Sequence, residues 1–250
     1  MVLEADFLNK KPVLIVEGNI GAGKSTFLKI IGKALNAQIV CEPVHKWQNV
    51  SGENLLERFY TETQRWAYSF QTYAFVTRVT AQEEHARVND KPMQVLERSV
   101  YSDRYCFAQN CFELGYINKL EWELYCDWFS WLVEQYTPRP DAFIYLQTDP
   151  KVCHKRLLKR SRTEEVSVGM DYLHLLHRKH EDWLIHRKDI SPRLRETSVI
   201  VLPCNEDFEN NPEIQRAHIA AITEFLNAKY NMPENIILNP QSCERHSLRI

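Results

Sequence analysis

Pro12-Val13-Leu14-Ile15-Val16-Glu17-Gly18-Asn19-Ile20-Gly21-Ala22-Gly23-Lys24-Ser25 passes from an apolar, β-branched run into a glycine-rich turn, and the residues that follow have helical spacing. A run this short, closed by a glycine turn, reads as a buried strand. Gly18 to Ser25 fits GxxxxGK[ST], and three of the chain's seven glycines fall in these eight positions. That concentration has a physical cause: backbone N–H groups can curl around phosphate oxygens only where φ is free and no side chain intrudes. The N-terminus of the next helix adds its dipole. Gly18, Asn19, Ile20, Gly21, Ala22, Gly23, Lys24, Ser25 and Thr26 are therefore the expected cradle of a nucleoside triphosphate. Lys24 would reach the β/γ-phosphates, and the Ser25 hydroxyl would coordinate Mg²⁺.

Working outward, short apolar runs at 37–41, 93–96, 141–146 and 198–202 read as further strands. Helical patterns lie between and after them, at 24–35, 63–87, 101–114, 119–136, 150–159, 172–187 and 213–229. Strands alternating with helices predict an α/β protein with a parallel sheet covered on both faces. No linker or repeat divides residues 1–230, which read as a single domain; 231–250 lack periodicity and read as loop or disordered tail. With 31 basic and 33 acidic residues the net charge is −2, which argues against a nucleic-acid polymer as partner. No apolar stretch approaches the ~20 residues that span a membrane, and residues 1–11 carry no apolar core of a leader. Seven cysteines, scattered and without a CxxC pair, predict reduced thiols packed as small hydrophobes and a cytoplasmic location.

A phosphate cradle does not identify the acceptor. Ligands of open α/β sheets bind at the carboxyl ends of the strands, and two strand ends carry acids: Cys41-Glu42-Pro43 and Glu97-Arg98-Ser99. An alcohol acceptor is a poor nucleophile until its proton is removed, so Glu42 suits a base. Glu97 suits Mg²⁺ or its water shell, and Arg98 can offset charge on the transferred group. A basic segment, His154, Lys155, Arg156, Lys159, Arg160 and Arg162, then Glu164-Glu165, suits a lid over a triphosphate at about 156–168. A solvated helix face is the plainer reading of such a run.

The motifs IVEGNIGAGKST, CEPVHKWQNV, NLLERFY, RWAYSFQTYAF, LERSVYSDRYCF, IYLQTDP, KRSRTEE and HEDWLIHR together resemble the deoxyribonucleoside kinase family, in its deoxycytidine/deoxyguanosine kinase-like branch. The resemblance runs from about Pro12 to about Leu226. It implies a P-loop kinase of three α/β/α layers with a five-stranded parallel sheet, phosphorylating the 5′-hydroxyl of a deoxyribonucleoside in nucleotide salvage. ATP or UTP would be the donor and Mg²⁺ the metal. By resemblance Glu42 is the base and Arg98 lies beside the 5′-oxygen, while Tyr60 and Glu165 hold the 3′-hydroxyl. Trp47, Leu56, Phe70 and Phe107 wall the nucleobase, and Gln71 reads its Watson–Crick edge. Arg156, Arg160 and Arg162 match lid arginines, although Lys159 lies between them. Arg78 and Asp103 accompany use of deoxycytidine and purine deoxynucleosides over thymidine. A homodimer would form through 101–114 and 119–136.

Helical spacing agrees with this pocket. Gln71 and Arg78, seven apart, share one face, and Asp103 and Phe107, four apart, share another. The competing enzyme reading is a thymidylate-kinase-like nucleoside monophosphate kinase. It would need an arginine-rich acceptor pocket, for which Arg58, Arg65 and Arg78 are available. A nucleotide-sensing module without catalysis would need neither Glu42 nor a lid.

Overall fold

A computed structural model describes residues 11–239. Five strands form one all-parallel sheet: β1 (Val13–Glu17), β2 (Ala37–Val40), β3 (Met93–Glu97), β4 (Ala142–Gln147) and β5 (Ser198–Pro203), in the order β2-β3-β1-β4-β5. Every residue of β1 and β3 is buried, the polar Gln94, Glu17 and Glu97 included, as expected of strands covered on both faces. The ladder pairs Ile15 with Leu96 on one side and with Phe143 on the other. This places Glu17 and Glu97 at neighbouring carboxyl ends.

The helices that build the site come from the connections. Lys24–Ala34 (α1) follows the cradle; Val44–Gln48 (α2) and Leu55–Thr61 (α3) follow β2; Thr63–Arg87 (α4) is the long helix leading back to β3. The helical stretch 100–113 (α5) then leads to Lys119–Tyr136 (α6). After β4 come Pro150–Arg160 (α7) and Met170–His180 (α8); Pro212–Tyr230 (α9) and Glu234–Ile237 (α10) follow β5.

Three differences from the sequence pattern matter. Helices α2 and α3 are too short to show a period, so they escape a reading based on periodicity. Within α5 the segment Asp103–Ala108 is π-helical, and Glu181–Ile185 continues α8 the same way. Where loop is expected after Tyr230, α10 forms, buries Ile237, and brings Leu238 into a bridge with Leu35. One turn with a single anchor leaves no periodic trace. Residues 240–250, Cys243 and the N-terminal residues 1–10 lie outside the described residues. The six described cysteines are free; Cys106, Cys111, Cys153 and Cys204 are buried, whereas Cys41 is exposed and Cys126 half-buried. No helix among the described residues is long and apolar enough to cross a membrane.

Candidate active site

The turn after β1 takes the conformation its glycines allow. Gly18, Gly21 and Gly23 stand at φ of 148°, 78° and 96°. A Cβ on Gly21 would lie 2.3 Å from the Cys153 carbonyl oxygen, and one on Gly23 would lie 2.7 Å from the Phe208 ring. These positions are closed to other residues by space as well as by φ. Asn19 braces the turn rather than facing the cleft, donating to the Leu173 carbonyl at 2.9 Å and accepting from Ile20 N–H at 2.8 Å. Lys24 is curled onto the loop, its Nζ donating to the carbonyls of Gly18 at 3.1 Å and Asn19 at 2.8 Å. Burial and the charge of Arg98 push the Lys24 ammonium down to about 7, against the pull of Glu42, Glu97 and Glu17.

One cavity of about 1010 Å³ runs from this turn across the strand ends to α4. Ile20, Gly21, Gly23, Lys24, Ser25 and Thr26 line its end at the glycine turn; Glu42, Glu97 and Arg98 line its middle; Trp47, Leu56, Tyr60, Phe70, Gln71, Arg78, Asp103 and Phe107 line its far end. Arg156, Arg160, Arg162 and Glu165 cover it. Gly18, Asn19 and Ala22 belong to the turn but do not line the cavity.

Glu42 lies at the centre. Its Oε1 accepts from Arg78 Nη2 at 3.0 Å and lies 3.6 Å from Arg98 Nε. Burial alone would raise this carboxyl, but Arg78, Arg98 and Lys24 together hold it below the ordinary carboxylate value. It is a charged, positioned acceptor open to the cavity. Arg78 also donates to both Asp103 oxygens, from Nε at 2.9 Å and Nη2 at 3.0 Å, so one guanidinium joins the two carboxylates. The Nη1 atoms of Arg78 and Arg98 are buried with no partner among the described residues. Buried donors left open cost ~1–3 kcal/mol each, a cost that a bound anion or polar ligand would remove.

The turn after β3 is held in a demanding shape. Arg98 stands at φ 61°, the left-handed region that non-glycine residues avoid. Ser99 caps α5 through a capping box with Ser102, and its hydroxyl donates to Glu17 Oε1 at 2.6 Å. Glu17 is fully buried, and burial pushes its carboxyl up to about 7 despite Arg98 and the Ser99 hydrogen bond. Glu17 is not singled out in the sequence, although it ends β1 as Glu97 ends β3, because it reads as part of the run leading into the glycine turn. Beside it, Ser25 Oγ donates to Glu97 Oε1 at 2.7 Å. A hydroxyl and a carboxylate so close are hard oxygen donors of the type Mg²⁺ takes alongside phosphates and waters; the pair fits that ion.

At the far end, Trp47 stands edge-on to Phe70 at 5.6 Å and donates from its indole to Thr77 Oγ1 at 2.9 Å. Phe70 stacks on Phe59 at 4.5 Å and 14°, and Phe107 lies under the Arg98 guanidinium at 4.7 Å. The slot is flat, aromatic and polar at its rim, as pockets for planar heterocycles are. Phe59 is a lining residue the sequence reading passed over. It sits beside Tyr60 on a helix without a visible period. Gln71 is buried and makes a long contact, 3.9 Å, to Cys111 Sγ. Tyr60's hydroxyl is made harder to ionise by burial and by Glu165 nearby.

Above the glycine turn, Arg156 donates to the Ala22 carbonyl at 3.2 Å and to the Glu206 carbonyl at 2.7 Å, and lies over Phe208 at 5.4 Å. Glu165 pairs with Arg160 and, at 2.9 Å, with Arg162. Asn205, Asp207, Phe208 and Glu209 also line the cleft, as do Lys155 and Lys159. The loop after β5 carried no motif by which to find it. Of the arginines that a monophosphate pocket would need, only Arg78 lines the cavity. Arg58 pairs with Glu53 at 2.5 Å, and Arg65 lies over Trp66 at 4.4 Å.

Comparison with known proteins identifies the family. The family model for deoxynucleoside kinase matches residues 14–227. The chain is 42% identical to deoxycytidine kinase 2 of Gallus gallus, over 90% of this chain and 94% of that one. It is 39% identical to deoxycytidine kinase of Homo sapiens, over 84% and 89%. It is 37% identical to the mitochondrial deoxyguanosine kinase of Xenopus laevis, over 79% and 83%.

Proposed function

Because the chain belongs to the deoxynucleoside kinase family and is a nucleoside 5′-phosphotransferase, we propose that it moves the γ-phosphoryl group of ATP, or of UTP, onto deoxycytidine and purine deoxynucleosides, giving 5′-monophosphates for nucleotide salvage. The supporting observation is Glu42, a charged carboxylate held by Arg78 and Arg98 on the wall of the cavity that Lys24 enters. In this reading Glu42 accepts the proton of the 5′-hydroxyl as the oxygen attacks phosphorus. Arg98 steadies Glu42 and turns its open Nη1 toward the charge that develops. Lys24 leaves the loop carbonyls for the β/γ-phosphates, and Arg156, Arg160 and Arg162 cover them and exclude water. Ser25 and Glu97 would hold Mg²⁺, which offsets phosphate charge.

Trp47, Leu56, Phe70 and Phe107 enclose the base, Gln71 reads its edge, and Tyr60 with Glu165 holds the 3′-hydroxyl. The buried Arg78–Asp103 pair at the far end of the cavity favours deoxycytidine, deoxyadenosine or deoxyguanosine over thymidine. Names borne by the relatives, deoxycytidine kinase and deoxyguanosine kinase, support the same group. Free, dispersed cysteines support a cytoplasmic location. An exposed apolar stripe on α6 supports a homodimer: Leu120, Leu124, Trp128 and Trp131 lie outward while Tyr125, Phe129 and Val133 face the core.

The test is incubation with ATP, Mg²⁺ and a panel of nucleosides and monophosphates. Deoxycytidine and purine deoxynucleosides should yield 5′-monophosphates; a monophosphate converted to diphosphate with no nucleoside turned over would reject the proposal.

A further inference from the structure

We propose that Glu164 is a positioning residue that ties the lid to the acceptor-binding helices, so that the lid arginines come over the triphosphate when the acceptor side is assembled. The inference rests on the kinase reading and concerns a residue that does not line the cavity. Helix α7 ends at Ser161, in the left-handed region at φ 51°, and the chain makes a single 3₁₀ turn, Thr163–Glu165. Its two glutamates face opposite ways. Glu165 holds Arg160 and Arg162. Glu164 Oε1 accepts from Gln48 Nε2 at 2.8 Å and from Asn54 Nδ2 at 3.0 Å.

Both donors belong to the acceptor side. Gln48 ends α2 and follows Trp47; Asn54 is the N-cap of α3, the helix of Leu56, Phe59 and Tyr60. Asn54 divides its amide between two tasks: Oδ1 caps α3 by accepting from Glu57 N–H at 3.0 Å, and Nδ2 reaches the lid. Glu164 and Glu165 are both buried while Thr163 and Val166 on either side are exposed, so the turn is anchored through these two carboxylates, and only that of Glu164 bonds to α2 and the cap of α3. Two charge-assisted hydrogen bonds on one oxygen hold a short turn firmly yet release it without unpacking a core. A shift of α2 and α3 on closing around a nucleoside would thus be carried by Glu164 to Glu165 and its arginines.

The test compares wild type, Glu164→Gln and Glu164→Ala. Glu164→Gln keeps a carbonyl oxygen for both donors and should stay within about threefold of wild type. Glu164→Ala should lower kcat for deoxycytidine about tenfold. It should also abolish the mutual strengthening of deoxycytidine and a non-hydrolysable ATP analogue in binding, with the Tm nearly unchanged. Amide exchange across 161–168 should quicken in Glu164→Ala alone. Unaltered kcat and binding synergy in Glu164→Ala, or equal losses in both variants, would overturn the proposal. A wild-type chain that phosphorylates no deoxynucleoside would instead reject the kinase reading and with it the positioning role, while exchange in 161–168 would still decide whether Glu164 holds the turn.

Discussion

As the proposed base, Glu42 meets two opposed demands. A base must be charged, yet a carboxylate drawn from water resists charge; the surrounding Arg78, Arg98 and Lys24 resolve the conflict in favour of the charged form. Glu42→Gln, nearly isosteric, should therefore leave nucleoside binding largely intact and lower kcat by about 10²–10⁴-fold in steady-state assays. Its motif, Cys41-Glu42-Pro43 at a strand end, made it visible in the sequence. What could not be read there is that Arg78 serves both Glu42 and Asp103, because residues 36 and 25 positions apart meet only when α4, α5 and β2 pack. That sharing shapes the test of base choice. Arg78→Met alone would strand a buried Asp103, which is costly, whereas Arg78→Met with Asp103→Ala removes the pair together. The double variant should raise the thymidine/deoxycytidine ratio of kcat/KM, and kcat on both should fall because Glu42 loses a partner.

Single elements act here through their ends. The glycine turn, its helix α1 and the neighbouring α7 are built as one piece, since Gly21 leaves room for the Cys153 carbonyl of α7 and nothing larger. Gly21→Ala should force the turn open and impose a left-handed strain of about 1–3 kcal/mol, a loss of about 5- to 150-fold in ATP affinity by calorimetry. Nucleoside binding should change far less. Long helices were legible because their periodicity exceeds the noise: 63–87 is matched by α4, and 119–136 by α6. Helices α2 and α3 were not, although they carry Trp47, Leu56, Phe59 and Tyr60. One or two turns show too few repeats for a period, and their stability comes from docking on α4. The π-helical segment in α5 was likewise invisible, yet Asp103 and Phe107 at its two ends both face the cavity.

At the scale of the whole molecule, burial under the sheet sets the response to acid. His180 is fully buried, donating from Nδ1 to the Leu176 carbonyl, with Nε2 unpartnered among the described residues. Burial, then Arg98, pushes its pKa down to about 3, so the native state keeps it neutral where the unfolded chain, near the ordinary imidazole value of 6.5, takes up a proton. The stability it confers is whole above pH 6.5 and declines as pH falls toward 3, a loss of about 2 kcal/mol by pH 5. Unfolding midpoints measured across this range should fall less steeply in His180→Phe. The exposed stripe on α6 belongs to the same scale: the wild type should sediment as the proposed homodimer and Trp128→Glu with Trp131→Glu as a monomer, whereas a monomeric wild type would reject the dimer and a dimeric variant would reject this interface. By itself the sequence determined the layer architecture and the glycine turn proposed as the phosphate cradle, because strand period, helix period and glycine spacing are properties of contiguous residues. It also supplied the family, through motifs that stay intact along the chain. Only the tertiary structure decided which arginine joins which carboxylate, that Phe59 and Phe208 line the cleft, and that Glu164 faces α2 and α3 while Glu165 faces the arginines. Those relations depend on where distant segments come to rest, and packing, not local chemistry, sets that.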